Sequence, residues 1–333
     1  MVKRVIAGAM AAGAVMAGQL CLAAEPPPQV VVSIKPIHSL VAAVMQGSAE
    51  PKLLIPSGAS PHTYSLKPSD ARALQQADLV FWVGDGLETF LLKPLAALPA
   101  RAQVVELAEA PGVTLLPYRE DGPWEAHDHA AGHADAHDHG RVDKHEPHDE
   151  GHDHEHEAGK LDMHVWLDAG NAQAMVRAAA AALTSADPER AETYAANAER
   201  TIARLQSMDG ALRAELTPLA GRAYVVFHDA YQYLEHRYGL TPAGSITVSP
   251  ERQPSAQRVR AIRAKVAGAG AVCVFSEPQF EPALVKTLIE GTPARTSVLD
   301  PDGGIGIPPG PDAYFTMMQD LGTSMRGCLA PGS

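Results

Sequence analysis

The chain has 333 residues, with 39 acidic against 27 basic side chains and a formal net charge of −12. That balance excludes the phosphate backbone of nucleic acid and an anionic membrane surface as natural partners. The length allows two domains of ordinary size.

Residues 1–24 read as a secretory signal peptide. Lys3 and Arg4 precede an apolar stretch from Val5 to Leu20, and the small residues Ala23-Ala24 stand before Glu25 and a run of three prolines. Cleavage is expected after Ala24 or Ala23. Gln19-Leu20 ahead of Cys21 lacks the small residues of a lipoprotein site, and the apolar run is too short and too rich in Ala and Gly for a membrane span. A soluble protein exported to the periplasm is therefore expected. Loss of Lys3 and Arg4 leaves 25 basic residues (27 less two) against 39 acidic ones, a net charge of −14.

The mature chain opens with short apolar runs over 30–34, 52–55, 79–83 and 104–105, which predict strands. Helical patterns over 38–46, 68–76 and 87–95 lie between them. Strand–helix–strand in this rhythm means a parallel sheet with helices on its faces, and predicts an N-terminal α/β lobe over 25–186. A polar segment of about 119–160 interrupts that lobe. Asp162–Asp168 follows it, then an Ala-rich helix over 169–183. Asp187-Pro188 signals a helix start. From there the apolar positions Tyr194, Ala198, Ile202, Leu205, Met208, Leu212 and Leu216 recur at steps of three and four. They make one helical face over about seven turns, so 187–220 is predicted to be a long linking helix. The strand–helix rhythm then returns, with strands over 223–227, 246–248, 271–275 and 297–299 and helices from 255, 282 and 312. This is a C-terminal α/β lobe over 221–333. The fold expected is α/β, with two lobes joined by one long helix and a ligand cleft at the carboxyl ends of the strands.

Ten of the fifteen histidines fall between His127 and His156, among Asp, Glu, Gly and Ala, and His-Asp-His occurs at 127–129, 137–139 and 152–154. Imidazoles interleaved with carboxylates are ligands for borderline-soft divalent metals. With almost no apolar residue, the segment is expected to be a solvated, disordered loop. Once Cys21 is removed, two cysteines remain, Cys273 and Cys328, and in an oxidising compartment they read as one disulfide.

The histidines outside the loop are each placed. His62 follows the strand over 52–55, His164 lies in Asp162-Met163-His164, and His228 ends the strand over 223–227. All three fall at strand ends or loop edges facing the expected cleft. Three imidazoles and an oxygen make a tetrahedral zinc site. Asp300, at another strand end, is the protein candidate for that oxygen, with water as the competitor. Asp229 and Glu277 are candidates for orienting the imidazoles. His38 is ambiguous, and His236 is expected to be exposed on a helix.

Five stretches carry a resemblance: Ser33–Leu40, Ser60–Asp70, Asp162–Trp166, Phe227–Tyr231 and Ser276–Phe280. Together with the His-rich segment and the late cysteine pair, they resemble the periplasmic zinc-binding proteins of high-affinity zinc ABC importers, a family of metal-binding solute-binding proteins. The resemblance covers essentially the whole mature chain. It implies zinc held between the lobes by His62, His164 and His228, and delivered to an ABC permease. Many zinc members have a glutamate before the first of these, where this chain has Pro61, so Asp300 or water is left for the fourth position. Manganese and iron relatives tend to carry glutamate where His228 stands, and three imidazoles favour zinc. A monomer with Zn²⁺ as transported ligand is expected, with the His-rich loop gathering or sensing zinc. An enzyme is not expected: the chain has no HExxH and no Gly-x-Ser-x-Gly elbow, although Glu277 would be the base of a zinc hydrolase. A pure metal buffer is the remaining alternative, told apart by whether its loss impairs zinc uptake.

Overall fold

The computed structural model describes residues 25–119, 161–247, 255–268, 270–279, 282–304 and 306–330. The expected signal peptide and nearly all of the His-rich segment lie outside the described residues.

In the first lobe, strands β1 (Val30–Val32), β2 (Lys52–Leu53), β3 (Leu79–Trp82) and β4 (Gln103–Glu106) form a parallel sheet in the order β2-β1-β3-β4. The connections run through helices α1 (Lys35–Val44), α2 (Pro68–Gln76) and α3 (Leu92–Ala96). Every residue of α1 is buried, and Pro36 sits in its first turn, where a missing N–H costs nothing. The helix predicted over 87–95 is instead a 3₁₀ turn, Thr89–Leu91, followed by the short α3. Pro94 has no N–H to offer the preceding turn. Glu88, just ahead, turns inward and accepts from the N–H groups of Val83 and Gly84.

A two-stranded antiparallel pair, β5 (Leu116–Pro117) and β6 (Leu161–Asp162), brings the two ends of the His-rich segment together. Asp168 caps α4 (Ala169–Ala186) by accepting from the N–H groups of Gly170 and Asn171. Helix α5 (Ala191–Leu216) has 26 residues, with a 3₁₀ turn at each end, and so runs about 39 Å. Its buried face carries the predicted Tyr194, Ala198, Leu205, Met208, Leu212 and Leu216. Ile202 is only partly buried, and Asn197 and Thr201 share the buried face. Asn197 donates to the carbonyls of Val44 and Gln46, at 2.8 Å each, and so satisfies the C-terminal end of α1.

The second lobe repeats the plan. Strands β7 (Tyr224–His228), β8 (Gly244–Thr247), β9 (Cys273–Ser276) and β10 (Arg295–Val298) form a parallel sheet in the order β10-β9-β7-β8. Its helices are α6 (Gln232–Tyr238), α7 (Ala256–Gly268), α8 (Pro282–Ile289) and α9 (Ala313–Leu329). The expected disulfide is present: Cys273 of β9 is bonded to Cys328 of α9. One apolar core runs through the molecule, from Val32 and Leu79 past Leu205 and Met208 of α5 to Tyr224, Phe275 and Met318. The long helix is therefore packed into both lobes rather than spanning a gap between them. Among the described residues no helix is long and apolar enough to cross a membrane.

Candidate metal centre

Three imidazoles from separate parts of the chain meet between the lobes. His62 lies in the turn that follows β2, His164 lies two residues past the end of β6, and His228 is the last residue of β7. Their ligand-capable nitrogens all lie within 4.8 Å of one another. The ring centroids are 5.4 Å apart for His62 and His164, 5.8 Å for His62 and His228, and 5.2 Å for His164 and His228. The Nε2 atoms of His164 and His228 face each other at 3.3 Å.

Two buried carboxylates set that direction. Nδ1 of His164 is 2.7 Å from Asp162 Oδ1, and the same oxygen accepts the backbone N–H of His164 at 3.0 Å. Nδ1 of His228 is 2.7 Å from each oxygen of Glu277, which also accepts from the Tyr231 hydroxyl at 3.2 Å. An ionised carboxylate only accepts, so Nδ1 is the donor in both rings and each Nε2 keeps its lone pair for the shared point. Asp162 and Glu277 are both buried, which strengthens the pairing.

Electrostatics separates the rings. Removal from water holds His62 well below the ordinary histidine range, and the neighbouring His164 and His228 push it the same way. Burial pulls His228 down too, but Glu277, with Asp229 and Asp162, outweighs it and leaves the ring above its ordinary value.

Asp300 follows β10 but stands outside the three-histidine group. Its carboxylate accepts from Gln279 Nε2 at 2.9 Å and from the Asp302 N–H at 3.1 Å. Burial raises it, and burial together with Asp300 raises its neighbour Asp302 to about 7. Of the two acids expected to orient imidazoles, Glu277 does so. Asp229 is instead gripped by Arg119, which also holds Glu235 at 2.8 Å. His38 lies outside the metal group: it is buried in α1 and its Nε2 is 2.9 Å from the Pro51 carbonyl. His236 is exposed on α6. The acid that sequence reasoning missed is Asp162. The spacing Asp-Met-His was the available signal, because a chain leaving a strand into a turn can fold an acid back onto a ring two residues on.

Two parallel-sheet lobes bridged by a long helix, with imidazoles from both lobes meeting between them, define a metal-binding solute-binding protein. The donor set is nitrogen-rich and suited to zinc. The sequence matches the family described as zinc-uptake complex component A, periplasmic, over residues 30–328, and the chain belongs to that family. It is thus a zinc-binding protein of an uptake system and not an enzyme. High-affinity zinc uptake system protein ZnuA of Brucella suis biovar 1 (strain 1330) is 49% identical over 306 residues, covering 90% of this chain and 91% of the relative. The protein of the same name from Yersinia pestis is 38% identical over 300 residues, covering 90% and 91%. Among solved structures, a crystal structure of ZnuA superimposes with a TM-score of 0.71 at 22% identity, over 91% of this chain and 100% of that one. The Zn(II)-bound ZnuA-like domain of Streptococcus pneumoniae AdcA does so with a TM-score of 0.68 at 22% identity, over 92% and 100%. These likenesses establish the shared fold.

Proposed function

We propose that this protein captures Zn²⁺ in the periplasm with His62, His164 and His228 and hands it to the permease of an ABC-type zinc importer. The observation that carries the reading is the convergence of His164 and His228. Their Nε2 atoms stand 3.3 Å apart, and each ring is turned there by a buried carboxylate on its Nδ1. A pair of imidazoles aimed at one point, with a third beside them, is a preformed site for a nitrogen-preferring cation. Asp300 or a water fills the fourth position. Residues 1–24 export the chain, the mature protein acts as a monomer, and the permease is its partner. The His-rich segment gathers or senses zinc as an auxiliary to the cleft.

The test is a calorimetric zinc titration of the metal-free mature protein lacking residues 120–158, beside its His228→Ala variant. The deletion leaves intact the β5–β6 pair, which holds Leu116–Pro117 beside Leu161–Asp162. One tight zinc per chain, strongly weakened in the variant, is expected. Absence of tight binding once the segment is gone leaves the His-rich stretch as the only metal site, and the protein as a buffer.

A further inference from the structure

Lys35 opens α1 in the first lobe, yet its ammonium reaches into the second. It donates to the carbonyls of Gly303 at 2.6 Å and Ile307 at 2.9 Å, and to that of Gly304. An ammonium has three protons, and here all three land on one turn of backbone. Lys35 is 4% exposed, so these charge-assisted bonds form largely out of water, where they are strongest. The carboxylates of Asp300 and Asp302, at the start of the same turn, attract the ammonium as well.

The turn depends on such ties. Asp300, Gly303, Gly304 and Gly306 line a cavity of about 420 Å³ together with Met317 and Leu321 of α9. Met317 packs beside Gly303, but nothing lies within 4 Å of where a side chain on Gly306 would begin, so the cavity leaves that end of the turn room to move. Gly303 has φ +71°, open to glycine at no steric cost, and its α-carbon region lies against the Lys35 stem. A second tie also comes from the first lobe: Trp166 Nε1 donates to the Pro301 carbonyl at 2.8 Å, two residues after His164.

We propose that Lys35 is a positioning residue for zinc, an interlobe latch that holds the turn over 300–304 through Gly303 and Gly304 and so sets how closely Asp300 approaches the ion bound by the three imidazoles. This rests on the zinc site proposed above. The ammonium touches no metal and acts through Asp300 by fixing the backbone that carries it. Its loss lets the turn sink toward the cavity and shortens the time zinc stays bound.

The test is a double-mutant cycle on the full mature chain, loaded with one equivalent of zinc and challenged with an excess of chelator, following the slowest release phase. Lys35→Met is expected to speed that phase roughly tenfold or more, and Lys35→Arg to restore most of it. Asp300→Asn is expected to speed it too, and the Lys35→Met, Asp300→Asn double variant to release no faster than Asp300→Asn alone. Release at the parental rate from Lys35→Met or from Asp300→Asn overturns the proposal, and so does full multiplication of the two effects in the double variant. If circular dichroism shows Lys35→Met unfolded, Lys35→Gln, which keeps N–H donors without the charge, goes through the same cycle under the same criteria. His228→Ala run in parallel separates the two readings: persistence of the slow phase there overturns the three-histidine site itself.

Discussion

Both carboxylate oxygens of Glu277 lie 2.7 Å from Nδ1 of His228, at the carboxyl end of the second sheet. One ring nitrogen is thereby committed to the acid, and the other is left facing His164. Glu277→Ala should lower zinc affinity about 10–100-fold while the three imidazoles stay in place. Competition against a chelator of known affinity reads this directly, and unchanged affinity would falsify the orienting role.

The same contact sets a pH dependence. Zinc needs the neutral ring, so protons compete with it. Glu277, Asp229 and Asp162 keep His228 above its ordinary value against the pull of burial, which lies near 6.5. A raised pKa means that the proton is held to higher pH. Affinity should therefore fall as pH drops, beginning above about 6.5, and Glu277→Ala should move the onset of that fall downward. Titrations at a series of pH values check both, and an unmoved onset in the variant would show that another group controls it.

Arg119 reaches from beside β5 to two buried acids of the second lobe, Asp229 and Glu235. Removing it leaves both carboxylates buried without their cation. Arg119→Ala should cost about 3 kcal/mol, the lower end for a broken buried pair, because the arginine side chain keeps 20% of its surface in water. Urea unfolding of the metal-free protein measures it, and a loss below 1 kcal/mol would mean that water replaces the guanidinium without penalty.

Glu88 is fully buried, and burial raises it to about 7, although Ser33 and the N–H groups of Gly84 and Val83 donate to it. For an acid whose pKa rises on folding, the folded state holds the proton more tightly. Stability therefore falls as pH rises from the unfolded value of about 4.3 through the folded one. Glu106, Glu235 and Asp302 are also raised to about 7 and add to the same slope. The metal-free protein should lose stability between pH 5 and about 7, and Glu88→Gln should reduce that slope by about one proton. Melting curves across the range decide, and equal slopes for both chains would show that Glu88 titrates normally.

The Cys273–Cys328 bond closes a loop with a sequence separation of 55 and ties β9 to the last helix. Replacing both cysteines with serine should cost about 4 kcal/mol on the chain-entropy scale. Reversible denaturant unfolding of the two proteins gives the difference, and a change under 1 kcal/mol would mean that α9 docks on packing alone.

Much of this molecule was legible in the sequence because it is written in local pattern. Short apolar runs marked the strands, steps of three and four marked the face of α5, and the loss of Cys21 with the leader left one pairing for the remaining cysteines. The resemblance of five short stretches added the zinc-binding family and the three histidines. What pattern did not reveal is which side chain meets which across the lobes. Asp229 and Glu277 look alike as acids beside strand ends, yet Glu277 orients His228 while Asp229 is spent on Arg119, 110 positions away. Asp162, not weighed as a partner, holds His164, and His38 is turned to the Pro51 carbonyl instead of the cleft. Ile202 fits the apolar step of α5 but lies at the edge of the buried face, which Asn197 shares in order to satisfy the end of α1. Lys35 reads as an ordinary basic residue until the second lobe brings three carbonyls to its ammonium. Strand, helix and disulfide follow from residues whose spacing along the chain is itself the physical constraint. The partner of a buried charge depends on which groups the packed lobes bring within about 3 Å, and only the tertiary structure decides that.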